Sequence, residues 1–264
     1  MSGSELLQKE LKQKFMAKVR IENLHKSFGS NSVLRGVDLS VEPGEIFCIL
    51  GKSGTGKSVV MKHLVGLIEP DEGSIYVDEV RFTGSEPAVK DSIIRKYGIL
   101  FQGAALFDSM NIYDNIAFGL RRSKMDEEKI AGIVAEMLDQ VGLPGMGDKW
   151  PSELSGGMQK RAGLARAIAM KPEIMLYDEP TTGVDPITGG SVDRLIVKMN
   201  RNFGITSIVI THDINSAFRI ADRMSMLFDG RVIFTGTPDD FKNSPDPYVR
   251  QFAEGTVNGP INVI

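Results

Sequence analysis

The chain is poor in the residues that anchor several common chemistries. Of its 264 residues one is cysteine, and that residue, Cys48, sits in the apolar run Ile46–Leu50. A single thiol excludes an internal disulfide, and its apolar neighbours predict a buried, inert side chain that suits a reducing compartment. Long hydrophobic runs are missing too. No stretch approaches the ~18–20 apolar residues of a membrane span, and the N-terminus has no signal-peptide apolar region. A membrane role therefore has to pass through a partner. Charge of one sign is also absent: 31 basic against 34 acidic residues leave a net −3, which gives no bulk electrostatic case for binding nucleic acid. There are no repeats or low-complexity tracts. What remains, 42% hydrophobic and 25% charged residues, is an ordinary globular composition, long enough for one large domain or two small ones.

Residues 1–16 are charged and polar, with Leu7, Leu11 and Phe15 at helical spacing. Three apolar residues bury little, so a frayed extension is expected there rather than a membrane-seeking helix, and Met16 is a plausible alternative start. From Val19 the pattern turns β-rich: Val19–Ile21 and Val33–Val41 read as strands around a turn at Phe28–Ser32. Pro43-Gly44 leads into a buried strand, Ile46–Leu50. A helix then carries Val60, Met61, Leu64, Val65 and Ile68 on one face, and a strand follows over Ser74–Val77. A strand at Tyr97–Phe101 precedes a mostly helical block to about Met170, broken by Gly142–Gly145 and by Trp150-Pro151. Strands return at Ile174–Tyr177, Thr206–Ile210, Met224–Phe228 and Val232–Phe234. Alternating strands and helices predict an α/β fold with a largely parallel sheet, into which the helical block is inserted.

Two segments about a hundred residues apart are built to hold phosphate. Gly51-Lys52-Ser53-Gly54-Thr55-Gly56-Lys57-Ser58, followed by Val59, fits the phosphate-loop pattern between a buried strand and an amphipathic helix. Its glycines let backbone N–H groups curl around phosphates at a helix N-terminus; Lys57 reaches the β- and γ-phosphates and Ser58 ligates Mg²⁺. A chance glycine-rich turn is the alternative, and the flanking strand and helix argue against it. The strand Ile174–Tyr177 ends in Asp178-Glu179, carboxylates at the C-terminal edge of a sheet. Asp178 suits Mg²⁺ through water, and Glu179 can orient and deprotonate an attacking water. Ser155-Gly156-Gly157 opens a second helix, a serine cap followed by bare amides, which on its own reads equally as a plain helix cap. One nucleotide has one triphosphate. Two phosphate loops imply two copies closing around shared ATP.

At this point the chain resembles the ATP-binding cassette (ABC) ATPase family over nearly its whole length. Leu154-Ser155-Gly156-Gly157 matches that family's signature, with Met158 in place of the usual glutamine and Gln159 following. The resemblance implies a P-loop NTPase core sheet with an antiparallel β subdomain and an inserted helical subdomain at about 108–170. It also implies roles in family order: Gln102 as the glutamine that senses Mg²⁺ and faces the membrane partner, His212 as the switch histidine on the γ-phosphate, and Asp185 as a contact to the opposite subunit. Phe28 is placed like the aromatic that stacks on adenine, with a partly buried turn residue as the alternative. His25 and His63 match nothing and read as incidental. In this family the Ser155–Gly157 segment of one subunit caps the γ-phosphate held by the P-loop of the other, which implies a homodimer driving a bound permease.

More specific segments, Leu100–Met110 with Asn111–Ile116, Gly183–Thr188 and Ser244–Phe252, resemble the ATPases of the Mce-associated (Mla) phospholipid transporters of bacteria. That likeness implies a peripheral protein on the cytoplasmic face of the inner membrane, partnered by an integral permease, a periplasmic Mce-domain protein and a small STAS-domain subunit. A cassette domain is expected over residues 17–243, and the tail 244–264 is expected to reach the other ATPase subunit or a partner. Its deletion is expected to leave monomer folding intact. An importer ATPase of the glycine-betaine type remains the alternative; it shares Leu-Ser-Gly-Gly-Met but carries C-terminal regulatory domains for which there is no room. A non-transport ABC protein lacks support, since no heptad tract joins the two phosphate motifs.

Overall fold

The computed structural model describes residues 17–261. The extension at 1–16 and the apolar end Val263-Ile264 lie outside the described residues. In chain order the elements are β1 (Val19–Phe28), β2 (Asn31–Val41), β3 (Ile46–Leu50), α1 (Lys57–Leu64), β4 (Glu72–Val77), β5 (Val80–Arg81) and α2 (Pro87–Ile94). They continue with β6 (Tyr97–Leu100), α3 (Ile112–Arg122), α4 (Glu127–Gln140), α5 (Gly156–Ala169), β7 (Ile174–Asp178), α6 (Pro186–Phe203) and β8 (Thr206–Thr211). The last are α7 (Ile214–Ile220), β9 (Arg223–Phe228), β10 (Arg231–Gly236), α8 (Pro238–Lys242) and α9 (Pro247–Glu254). The chain divides into two compact units, Met1–Arg95 with Ile210–Ile264, and Lys96–Val209. Among the described residues no helix is long and apolar enough to cross a membrane.

In the first unit, β2-β1-β4-β5 form a four-stranded antiparallel sheet. The turn between β1 and β2 is tighter than Phe28–Ser32: Phe28 pairs directly with Asn31, leaving Gly29-Ser30 as a two-residue loop with Gly29 at φ 61°, the conformation that hairpin turns demand. A second run of strands, β10-β9-β3, pairs β9 antiparallel to β10 and β3 parallel to β9. All five residues of β3 are buried, Cys48 among them. Helix α1 ends at Leu64, so Val65 is its cap and Ile68 lies beyond it. The cause is Gly66 at φ 70°, with Gly66 and Leu67 N–H bonded back to His63 and Lys62 carbonyls. His63 is a core residue: its Nδ1 donates to Val59 O at 2.7 Å, and burial lowers its pKa.

The C-terminal segment is folded onto this unit. Phe241 meets Phe234 and Phe218, Tyr248 meets Phe228 with ring centroids 4.8 Å apart, and Val249 is fully buried. Removing residues 244–264 would therefore open the core. A cut that tests the tail alone has to begin at Gly255, the left-handed cap of α9. Beyond it, Gln251 clasps the tail: its Oε1 accepts from Ile261 N at 2.7 Å, and its Nε2 donates to the carbonyls of Ile261, Thr256 and Val257. Gln251→Ala is expected to cost about 1–3 kcal/mol, because it strands buried backbone groups, and to expose residues 255–261 to protease. Urea unfolding and limited proteolysis measure both; an unshifted midpoint with an uncut tail would contradict the clasp.

In the second unit β6 and β7 run parallel, Tyr97 opposite Ile174 through Leu100 opposite Tyr177, and β8 lies next to β7. Helices α3, α4 and α5 pack on one another, and α5 also lies on β6. Gly98 permits that last contact, since a Cβ there would fall 2.9 Å from Ala167 O. Asn111 caps α3 by accepting from Asp114 N.

Candidate functional site

The phosphate loop leaves β3 at Gly51, and Gly51, Gly54 and Gly56 all have positive φ, at 158°, 83° and 103°. Space is also restrictive: a Cβ on Gly51 would sit 2.5 Å from Leu227 O, and one on Gly56 2.8 Å from Leu34 Cδ2. Gly56 is the cap of α1 and supplies no side chain to its first amides, so this helix N-terminus is open to an anion. Lys57 is 6% exposed, and its ammonium donates to Gly51 O at 2.7 Å and Lys52 O at 2.9 Å, bracing the loop from within. Ser58, one residue on, is exposed. An open cleft of about 460 Å³ includes Lys52–Thr55, Val33 and Arg35 with Asp229 in its lining, together with the tail residues Pro260 and Ile261. Phe28 stands at the end of β1, 50% exposed and outside the cleft lining, with Lys26 Nζ 5.7 Å from its ring centre. His212 is exposed after β8. Its backbone is held because Thr211 Oγ1 accepts from Asp213 N and Asp213 in turn caps α7.

In the second unit β7 delivers Asp178 at its C-terminal end, half-buried. Glu179 follows with φ 49°, a left-handed conformation unusual for a residue with a side chain. Thr182 fixes this turn twice, through its N–H to Glu179 O and its Oγ1 to Glu179 Oε2, both at 3.2 Å. Ser155 is the cap of α5, accepting from Met158 N. Gly157 is required by close approach, since a Cβ there would lie 2.3 Å from Thr188 Cγ2 on α6. Gln159 donates to Pro151 O and Leu154 O and so anchors the segment before the cap. Asp185 accepts from Ile187 and Thr188 N–H as the cap of α6, and the Thr188 hydroxyl and amide hold its carboxyl below the usual range. Within this unit the structure brings Gln102, Gly156 and the Thr182–Val184 loop together around one cavity of about 430 Å³.

Three polar residues that hold these loops, Lys160 and Asn115 buried and Arg166 half-buried, were not singled out from sequence. Lys160 donates to Pro180 O and Thr182 O. Arg166 donates to Ala104 O and Ala105 O, carbonyls of two residues that both have positive φ just after Gln102. Asn115, fully buried, bonds Phe107 N and O, Met110 O and Asn111 O. A charge at an apolar position of a helical pattern was the available signal for Lys160, three residues after Gly157 and four before Leu164.

The first unit offers open helix amides suited to an anion, with the Ser58 hydroxyl exposed beside them; the second unit carries the Asp178 carboxylate at the end of β7. Comparison with known proteins agrees. A family model described as "ABC transporter" matches residues 34–182. The chain is 43% identical over 246 residues to the "Probable ribonucleotide transport ATP-binding protein mkl" of Mycobacterium leprae, covering 93% of this chain and 71% of that one. It is 37% identical over 234 residues to the "Intermembrane phospholipid transport system ATP-binding protein MlaF" of Escherichia coli K12, covering 88% and 87%. Among solved structures, the dimeric ATP-binding cassette MJ0796 bound to ADP and Pi superposes with a TM-score of 0.75 at 32% identity, over 83% of this chain and 98% of that one. The chain belongs to the ABC transporter family, as an ATP-binding subunit that hydrolyses ATP.

Proposed function

We propose that this protein is the ATPase of a phospholipid transporter working between the bacterial inner and outer membranes, bound as a homodimer to an integral permease on the cytoplasmic face. The observation that carries the cargo is the likeness to MlaF along 87% of that protein. The dimeric state of MJ0796 with ADP and Pi supports the homodimer. A periplasmic Mce-domain protein and a small STAS-domain subunit complete the assembly in this reading, and the tail beyond Gly255 contacts the second ATPase copy or such a subunit.

In this reading the open amides of α1 and Lys57 bind the β- and γ-phosphates, with Gly51–Val59 around them and Phe28 against the adenine. Ser58, Asp178 and Gln102 would hold Mg²⁺, which when bound would supply positive charge to offset that of the phosphates. Glu179 accepts the proton of the attacking water, and His212 donates to the γ-phosphate. Ser155, Gly156 and Gly157 of the partner copy cap that same phosphate, and the turn capped by Asp185 meets the partner.

A second reading, a nucleotide cargo, is favoured by the likeness to mkl. Purification of the chain with its co-purifying proteins, followed by solvent extraction, separates the two. A permease and an Mce-domain protein carrying phospholipid are expected. A permease for a soluble solute, with no lipid retained, would overturn the lipid assignment.

A further inference from the structure

Helix α5 does more than present its N-terminus. Lys160 lies on its buried face, 6% exposed, and donates to Pro180 O at 2.7 Å and to Thr182 O at 2.6 Å. Both carbonyls belong to the turn that starts at Glu179. That turn is the strained one, with Glu179 at φ 49° and its carboxylate bonded by Thr182. Two carbonyls aimed at one point need a donor that serves both. An ammonium with three N–H groups on a flexible stem does so, and its removal would strand one buried and one part-buried acceptor. Burial pushes the pKa of Lys160 down, and the nearby Glu179 charge acts against that. A buried charge of this kind is weak evidence for stability, because a well-packed apolar residue often serves the fold equally well. Its geometry points to a role in the reaction.

Resting on the function proposed above, we infer that Lys160 is a positioning residue that ties the phosphate cap on α5 to the turn holding Glu179. Ser155–Gly157 serve the ATP held by the partner copy, and Glu179 serves the ATP of its own chain. Lys160 joins them within one protomer through two short hydrogen bonds, with no intervening side chain. A displacement of α5 by the partner's nucleotide is thereby transmitted to the protomer's own Glu179, and the two ATP sites of the dimer respond together. A separate close approach from α5, Gly157 against Thr188, bears on α6.

The test uses the full chain and two readouts that a merely structural role would not move together. The first is steady-state kcat against KM for ATP. The second is ATP-induced dimerisation in a Glu179→Gln background, where turnover cannot disperse the dimer. Lys160→Met is expected to lower kcat at least about tenfold with ATP affinity of the single chain little changed, as loss of a charge-assisted hydrogen-bond pair implies. In the Glu179→Gln background it is expected to raise the ATP needed for half-maximal dimerisation by a similar factor. Lys160→Arg, which keeps charge and donors, is expected to restore most of both. Lys160→Gln keeps a donor without the charge and gives the same two readouts, with smaller losses, should the methionine variant not fold. Loss of turnover with dimerisation intact, or the reverse, or no loss in either, would overturn the coupling. If the unmodified chain does not hydrolyse ATP, or Glu179→Gln does not dimerise with it, the proposed function itself fails instead.

Discussion

Glu179→Gln is expected to keep ATP bound and to lower kcat by about 10²–10⁴-fold, the usual contribution of a positioned general base. The amide keeps the shape of the side chain and an oxygen that accepts from Thr182 Oγ1, so the bond now seen at 3.2 Å survives. The left-handed backbone at Glu179 is set by Thr182 N–H and by the two carbonyls on Lys160, none of which the substitution touches. The variant therefore removes proton acceptance and little else. Single-turnover phosphate release and equilibrium ATP binding separate the two effects. Near-normal hydrolysis would take the base role away from Glu179.

Lys57→Ala is expected to act earlier, at binding. The ammonium now braces Gly51 and Lys52 carbonyls while buried, so its loss removes both the charge that meets phosphate and the internal support of the loop. Truncating a buried, hydrogen-bonded charge costs about 2–5 kcal/mol, which is roughly 30-fold or more in ATP affinity. Titration with ATP reads this directly. An unchanged dissociation constant would mean that phosphate is held elsewhere. The two variants thus fail differently: the first binds without turning over, the second loses affinity for ATP.

The strand–loop–helix at Gly51–Ser58 was legible because the chemistry is local: the glycines, the lysine and the buried strand are adjacent in the chain. The same holds for Ser155, whose capping bond spans three residues, and for the hairpin around Gly29. Elements with little burial were not legible. Helix α2 buries only Ile93 and β5 buries neither residue, so neither leaves an apolar period in the sequence. Contacts that join distant positions were also hidden. Lys160 reaches carbonyls twenty and twenty-two residues away, and Arg166 reaches others about sixty residues away. Side-chain character says nothing about which backbone carbonyls will turn inward. The tail shows the same limit. Residues 255–261 carry no apolar period, and Gln251 supplies the order that local propensity lacks there.

The central claim is that each ATP is held between the P-loop of one copy and the Ser155–Gly157 cap of the other. Crossed dimers test it most directly. Gly156→Asp places a carboxylate where phosphate would lie; the position is exposed, its nearest neighbour to an added Cβ is Val184 Cγ1 at 4.0 Å, and an acid is favourable at a helix N-terminus. The fold should accept it. A dimer with Lys57→Ala in one copy and Gly156→Asp in the other retains one intact composite site, and ATP hydrolysis by that site is expected. With both substitutions in one copy and none in its partner, each composite site carries one lesion, and hydrolysis should fall to background. Hydrolysis in the second dimer and none in the first would contradict the account, because each chain would then be working alone.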